Sequence, residues 1–116
     1  MSINLPSKVD LLSFFSSEPK RDEYDELTIS YEAVDKSSNR LELAFNEATR
    51  TICTTLFKEN EVLDNVFVEG LSEIYFMDKN QKKCLVAECK KGDYVFKLEL
   101  FVEPLIQINW KVQEIP

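Results

Sequence analysis

The sequence contains no histidine, and its 116 residues include only two glycines. Without histidine the chain lacks the commonest general base and the usual activator of a nucleophilic serine or cysteine. Two glycines leave no room for the glycine-rich loops that cradle nucleotide phosphates. Paired carboxylates (Asp22 with Asp25, Glu59 with Glu61) are the remaining candidates for glycosidase-like acid catalysis, but they fall in polar turns without an apolar pocket. We therefore predict that the protein has no catalytic residues, is not an enzyme and binds no cofactor.

Long hydrophobic runs are also missing, so no segment is predicted to span a bilayer. The first ten residues, MSINLPSKVD, lack the basic and apolar regions of a secretory signal. The three cysteines, Cys53, Cys84 and Cys89, are accompanied by no histidine and no C-x-x-C pair, so we expect free thiols and no metal. If Cys84 and Cys89 share a strand, their spacing places them on opposite faces. Together these features predict a cytoplasmic protein.

Basic residues are missing from residues 59–78, which hold six acidic residues, and residues 1–35 hold eight acidic and three basic residues. These two segments supply all of the excess negative charge in a chain whose formal net charge is −7. Such a field opposes binding to nucleic acid or to an anionic membrane and favours a basic protein partner. Solubility alone is the alternative explanation.

A short helix is predicted near the N-terminus. Ser7 can cap a helix that begins at Lys8, and Pro19 disfavours helical geometry at Glu18, so we expect the helix to end by Ser17. Helical spacing then selects the residues of its buried face. These residues are Val9, Leu11, Leu12 and Phe15.

Beyond this helix the apolar residues alternate with polar ones, and short polar turns separate the alternating segments, which is typical of antiparallel strands. Residues 66–68 are less regular. We predict a single domain, mainly β, with seven or eight antiparallel strands in a sandwich or open barrel, covered at one edge by the helix. The residues that alternation places on one face of each clear strand are Leu27, Ile29, Tyr31, Ala33, Leu41, Leu43, Phe45, Ile52, Thr54, Leu56, Tyr94, Phe96, Leu98, Leu100, Val102, Ile106, Ile108, Trp110 and Val112.

Two tyrosines, Tyr24 and Tyr75, lie among the acidic residues. A tyrosine beside carboxylates suits recognition of a surface rich in arginine or lysine, because the ring supplies contact area and the acids supply complementary charge. An ordinary half-buried tyrosine is the alternative. The predicted partner-binding residues are Glu18, Asp22, Glu23, Tyr24, Asp25, Glu26, Glu59, Glu61, Asp64, Glu69, Glu73 and Tyr75.

Three segments resemble a group of small bacterial proteins, the immunity proteins of contact-dependent inhibition and related polymorphic-toxin systems. They are the aromatic-Ser-Glu-Pro turn at Phe15–Pro19, the strand FKLELFVEP at Phe96–Pro104, and IQINW at Ile106–Trp110. Ser16 stands where the pattern usually has glycine. The resemblance covers the two ends of the chain better than residues 35–70.

The resemblance implies a protein, monomeric before binding, that neutralises one cognate toxin domain, commonly a basic nuclease, by covering its active site or an adjacent surface. Carboxylates would then meet the toxin's lysines and arginines where nucleic-acid phosphates otherwise bind. Two alternatives remain open at this stage. One is a secretion chaperone for an exported client, and the other is a β protein that binds a small apolar ligand.

Overall fold

The computed structural model describes residues 3–21 and 27–115 of the chain. One helix, α1 (Lys8–Phe15), precedes the strands in this described part. The strands found there are β1 (Lys20–Arg21), β2 (Thr28–Val34), β3 (Asn39–Asn46), β4 (Thr51–Lys58), β5 (Glu61–Glu69), β6 (Leu71–Lys79), β7 (Lys82–Lys91), β8 (Tyr94–Phe101) and β9 (Gln107–Glu114). No helix among the described residues is long and apolar enough to cross a membrane.

The strands form two antiparallel sheets in which each strand pairs with its neighbours in sequence. The order is β1-β2-β3-β4-β5 in the five-stranded sheet and β6-β7-β8-β9 in the four-stranded sheet. Short turns suffice for such neighbours because antiparallel strands need no crossover connection. The mainly β, antiparallel fold predicted from alternation is confirmed. Of the described strands, eight have seven residues or more, and β1 has two.

The inner faces of the two sheets pack on each other and form the main hydrophobic core. From the five-stranded sheet this core contains Leu41, Leu43, Phe45 and Ile52, and from the four-stranded sheet Leu85, Ala87, Leu98 and Leu100. Two polar contacts also join the sheets. The indole Nε1 of Trp110 donates to Thr54 Oγ1 at 3.2 Å, and the amide of Ile106 donates to Asp35 Oδ2 at 2.9 Å.

The helix begins as predicted, since the amide of Asp10 donates to the side chain of Ser7 at 3.1 Å. Its predicted buried face is partly wrong, because Val9 and Leu12 are exposed. The face that packs against the sheets carries Leu11, Phe14 and Phe15. In so short and apolar a helix the 3.6-residue period alone does not select one face.

Two aromatic contacts fix α1 over the opening between the sheets. Phe15 stacks on Tyr31 of β2 with ring centroids 5.1 Å apart, and Phe14 contacts Phe76 of β6, also at 5.1 Å. The helix ends at Ser16, whose φ of 55° is left-handed and whose amide donates to the carbonyl of Leu12. A left-handed C-terminal cap favours glycine, which accounts for the glycine usual at this position in the pattern that the sequence resembles.

Alternation correctly identifies the inward side of the strands and fails at their ends. Leu27, Tyr94 and Val112, all predicted to face inward with the core residues, are exposed. Leu27 lies just before β2, Tyr94 begins β8, and Val112 lies two residues before the end of β9, where the opposite sheet does not cover them. The irregularity expected at residues 66–68 is not observed, because these residues belong to the nine-residue strand β5.

All three cysteines are free thiols. As predicted from their spacing, Cys89 lies in the core between the sheets and Cys84 lies on the opposite face of β7. There Cys84 packs with Val86 and Phe101 in a small cluster on the outer face of the four-stranded sheet. Burial raises the pKa of the Cys89 thiol to about 11.

Gly70 carries the chain from the five-stranded sheet to the four-stranded sheet. Its φ of +88° is left-handed, and a side chain there would collide with the carbonyl oxygen of Lys90. The amides of Gly70 and Leu71 both donate to the carbonyl of Arg50, at 2.8 and 3.0 Å, and the amide of Lys90 donates to the carbonyl of Gly70 at 2.9 Å. The two sheets are thus joined by main-chain hydrogen bonds at one residue.

We predict that Gly70→Ala lowers the free energy of unfolding by about 3 kcal/mol or more, because a left-handed alanine and a main-chain collision act together. Gly92→Ala is the matched control, since Gly92 has a φ of +59° and open space around its Cα. Its expected cost is only about 1 kcal/mol. Urea unfolding of the two variants measures the difference. Equal losses of unfolding free energy would contradict the prediction, because they would show that the main chain moves to remove the collision at Gly70.

Candidate functional site

The turn Glu59–Asn60 and strand β5 form the most exposed part of the five-stranded sheet. The turn has two residues, with φ values of 51° and 67°, which is the tight hairpin geometry that suits the right-handed twist of the strands and favours asparagine. It projects β5 along the edge of the sheet, where β4 is its neighbour. We call residues 59–69 the acidic hairpin.

The acidic hairpin gathers four of the predicted partner-binding residues. Glu59 lies in the turn, and Glu61, Asp64 and Glu69 lie on β5, all with exposed side chains. The residues from Glu59 through Asn65 are exposed on both faces of the strand. The structure therefore brings these four carboxylates to one sheet edge, in a stretch without a basic residue.

Three exposed apolar side chains lie among these carboxylates, and the sequence analysis did not select them. Val62, Leu63 and Phe67 are 59%, 55% and 60% exposed. Large apolar side chains surrounded by charged ones are typical of protein-binding surfaces. The signal was present in EVLDNVFVE, whose apolar residues fall on both faces of the strand.

The basic residues on the outer face of the same sheet are already engaged. Glu32 accepts hydrogen bonds from Lys20 at 2.9 Å and Arg40 at 3.0 Å. The bond from Lys20, together with that from Arg40, outweighs burial and lowers the pKa of Glu32. The Arg40 guanidinium also lies 3.8 Å from the centroid of the Phe57 ring, and Phe57 pairs with Val62 of the acidic hairpin. These contacts link the hairpin to the rest of the outer face.

The other predicted residues lie elsewhere. Glu73 and Tyr75 are on β6, in the four-stranded sheet. Glu18 is exposed between α1 and β1. The predicted residues Asp22, Glu23, Tyr24, Asp25 and Glu26 lie outside the described residues. The predicted set is therefore not one continuous surface within the part of the chain that the structure describes.

Tyr75 is half-buried, and its hydroxyl donates to Glu88 Oε2 at 2.7 Å. Burial, followed by this bond to the carboxylate, raises the pKa of Tyr75 to about 12. Its ring packs on the outer-face cluster of Cys84, Val86 and Phe101. The ring and the hydroxyl proton of Tyr75 are thus both used within the chain.

Glu99 holds a compact charge network on the same outer face. It is 5% exposed, and its Oε1 accepts hydrogen bonds from Lys79 at 2.9 Å and Lys111 at 2.8 Å. The bond from Lys111, then that from Lys79, outweighs burial and lowers the pKa of Glu99. One carboxylate thereby holds two lysines, from β6 and β9, on the outer face of the sheet.

A cavity of about 670 Å³ opens where the β2–β3, β6–β7 and β8–β9 connections meet the end of α1. Its lining includes Asp35, Lys36, Lys83 and Glu103. Burial opposes the charge of Asp35, but hydrogen bonds from the amides of Ile106, Asn39 and Ser37 and from the Asn39 side chain hold its pKa below the usual range. Asp35 therefore joins the β2–β3 connection to the β8–β9 connection, and both of its carboxylate oxygens accept hydrogen bonds. Within the described ranges, no three acidic or cysteine residues are grouped as metal ligands.

Comparison with known proteins yields one informative match. No protein-family model matches the chain, and no curated protein matches it. Among solved structures, it is similar to one described as a contact-dependent growth inhibition toxin–immunity protein complex from Klebsiella pneumoniae 342. The match has a TM-score of 0.87 and 25% sequence identity, and it covers 96% of this chain and 97% of the matched chain. The resemblance to immunity proteins of contact-dependent inhibition, inferred from three sequence segments, is confirmed.

The Glu99 network predicts a specific pH dependence of stability. A carboxylate whose pKa is lowered on folding stabilises the fold fully above its unfolded pKa of about 4.3, and this contribution is lost as the pH falls through the folded value. Glu99→Gln should lower the free energy of unfolding by about 2 kcal/mol at pH 7. The difference from the unchanged protein should shrink between about pH 5 and pH 3.

Urea unfolding across this pH range is the measurement. Glu103→Gln, at an exposed position, is the matched control and should change the acid dependence much less. A Glu99→Gln variant with the same pH profile as the unchanged protein would contradict the prediction.

Proposed function

We propose that this chain is the immunity component of a contact-dependent inhibition pair and neutralises one cognate toxin domain by binding it. The observation that carries the proposal is the match to the toxin–immunity protein complex, which extends over nearly the whole of both chains. A match of that extent concerns the complete fold and not a shared hairpin. The activity proposed is binding and not catalysis, which suits a chain without histidine.

We further propose that the acidic hairpin is part of the surface that meets the toxin, and that the toxin domain is a basic nuclease. The support is the grouping of Glu59, Glu61, Asp64 and Glu69 around exposed Val62, Leu63 and Phe67. Carboxylates on such a surface attract a basic partner over long range, while the apolar side chains supply contact area at short range. A nuclease that meets carboxylates in place of phosphates would have its active site covered. The predicted acidic residues 22–26 remain candidates for a second part of this surface.

The direct test is protection of cells from the toxin. We expect a reading frame for a toxin directly upstream of the gene for this chain. Its toxin domain should arrest growth when expressed alone, and co-expression of the chain should restore growth. The two proteins should co-purify as a complex. The toxin of the K. pneumoniae 342 complex is the control, and we expect no protection from it because immunity is specific to the cognate toxin.

Growth arrest in the presence of folded chain, with no complex on size-exclusion chromatography, would contradict the immunity function. Intact nucleic acids in the arrested cells would instead contradict only the nuclease assignment. Both readouts come from the same cultures, so the two claims are tested separately.

The acidic hairpin predicts an effect on association that depends on salt. The triple variant E61K/D64K/E69K should slow association with the toxin by about tenfold or more at low salt. This loss should shrink as the Debye length falls from about 10 Å at 0.1 M salt to about 3 Å at 1 M. Stopped-flow or surface-based kinetics at several salt concentrations measure it.

The matched control is D10K/D78K/E103K, which alters exposed acids away from the hairpin. Three reversals add six charge units to either variant, so both change the formal net charge from −7 to −1. A difference between them therefore reports the position of the charges and not their number. Equal association rates would show that the hairpin does not steer the toxin.

The apolar part of the same surface predicts an effect on dissociation. Phe67→Ala should speed dissociation and weaken binding by about 2 kcal/mol, because truncating a buried aromatic anchor removes contact area that salt does not screen. Folding stability should change by no more than about 0.5 kcal/mol, since Phe67 is exposed in the free protein. Val34→Ala, at an exposed position on β2 of the same sheet, is the control and should leave dissociation unchanged.

A further inference from the structure

The outer edge of β5 differs from the other three sheet edges in the described part of the chain. The β9 edge (Gln107–Glu114) is nearly as long, but it carries a lysine, Lys111, and lysine is a residue that protects an edge strand. The β1 edge is only two residues long. The β6 edge is partly occupied by the N-terminal segment, because the amide of Ile74 donates to the carbonyl of Asn4 at 2.9 Å. The β5 edge runs for nine residues, and β4 is its partner among the described strands. Main-chain donors and acceptors on its far side therefore face outward.

The hydrogen-bond pattern identifies which main-chain groups these are. The amide of Gly70 donates to the carbonyl of Arg50, so residues 50 and 70 form a hydrogen-bonded pair at the end of the β4–β5 ladder. Because hydrogen-bonded and non-hydrogen-bonded pairs alternate in an antiparallel ladder, every second residue of β5 turns its main-chain groups away from β4. These residues are Asn65, Phe67 and Glu69.

The side chains agree with this assignment. Side chains approach each other most closely in non-hydrogen-bonded pairs, and Asn65 Nδ2 donates to Thr55 Oγ1 of the opposite residue at 2.8 Å. The register shift in the ladder lies between Leu56 and Phe57, towards the turn. The stretch of β5 from Asp64 to Glu69 is therefore an uninterrupted edge.

Natural proteins protect such edges with lysine, proline or a bulge. Residues 64–69 contain neither lysine nor proline, and they lie beyond the bulge. The negative charge of these residues determines which kind of strand can pair with the edge. A second copy of this chain paired along β5 would set two strands of the same negative charge side by side, and like charges on neighbouring strands are destabilising. A basic strand would instead be attracted.

We propose that β5 binds an extended, basic segment of the toxin domain as an additional strand of the five-stranded sheet. This inference rests on the proposed function and specifies how recognition occurs. Main-chain hydrogen bonds to residues 65, 67 and 69 supply register and affinity, as in other cases of strand addition. Lysine or arginine side chains of the added strand meet Asp64 and Glu69, and its apolar side chains meet Phe67.

Residue-resolved amide hydrogen exchange tests the inference on the purified chain, alone and in complex with the toxin domain encoded upstream. In the free chain the amides of Val66 and Val68 are bonded to β4 and should exchange slowly, whereas those of Asn65, Phe67 and Glu69 should exchange fast. In the complex these three amides should slow by about tenfold or more. The result specific to strand addition is protection of the outward-facing amides, so that all residues from 65 to 69 become protected.

Two substitutions at one position provide an independent test. Asn65→Ala and Asn65→Pro both remove the side-chain bond to Thr55, but only proline removes the outward amide. Proline is tolerated at an edge strand where its nitrogen faces away from the sheet. We expect Asn65→Pro to bind the toxin at least about tenfold more weakly than Asn65→Ala, which corresponds to about 1.4 kcal/mol. Circular dichroism spectra of both variants verify that they fold.

The outcomes separate this inference from the proposed function. A stable complex in which the amides of residues 65, 67 and 69 exchange as in the free chain overturns strand addition and leaves the immunity function standing. Equal affinities of the two folded Asn65 variants do the same. Protection of these amides that rises with concentration of the chain alone would assign the edge to a second copy and overturn the inference. Failure to form any complex with the toxin overturns both proposals.

Discussion

The passage of the chain through Gly70 determines the arrangement on which the candidate site depends. Three main-chain hydrogen bonds, to Arg50 and from Lys90, converge on this crossing, and the carbonyl oxygen of Lys90 leaves no room for a side chain at Gly70. Because the chain leaves the first sheet here, β5 is the last strand of that sheet, and the second sheet grows from β6 in the other layer. The free edge of β5 is therefore a consequence of how the sandwich closes. The crossing at Gly70, which joins the two sheets, also creates this free edge.

The distribution of ion pairs then decides which carboxylates can act at a distance. Glu32 and Glu99 are each bonded to two cations, from Lys20 and Arg40 and from Lys79 and Lys111. Each group of one carboxylate and two cations keeps a net charge of +1, so Glu32 and Glu99 add no negative charge to the external field. The acidic hairpin holds four carboxylates and no basic residue, so it keeps a net negative charge even beside Lys58, the ladder partner of Glu61. A formal net charge of −7 spread over a small protein would steer weakly in any one direction, whereas four acids on one edge give the field a direction.

The sequence predicted the fold through period-2 alternation, which worked wherever both layers cover a strand, as at Leu41, Leu43, Leu98 and Leu100. It failed at Leu27 and Tyr94, because alternation does not show where one sheet stops covering the other. The helix was located by its cap at Ser7, but its buried face was not, since Phe14 is positioned by Phe76, a contact distant in sequence. The acids of residues 59–69 were selected by charge alone. Their apolar neighbours carry a local signal, since they fall on both faces of the strand, whereas the free edge depends on strand order, which no local pattern reveals.

The negative charge of the β5 edge prevents a problem that an open edge would otherwise create. An unprotected edge with exposed apolar residues invites pairing between copies of the same chain. Carboxylates at Asp64 and Glu69 oppose that pairing, and they do so without lysine or proline, either of which would also repel or block a basic strand. Carboxylates on the edge therefore disfavour pairing with a second, equally acidic copy and still allow pairing with a basic strand. For a protein proposed to remain monomeric until it meets a single toxin, negative charge on this edge disfavours pairing with a second copy and favours pairing with the basic toxin.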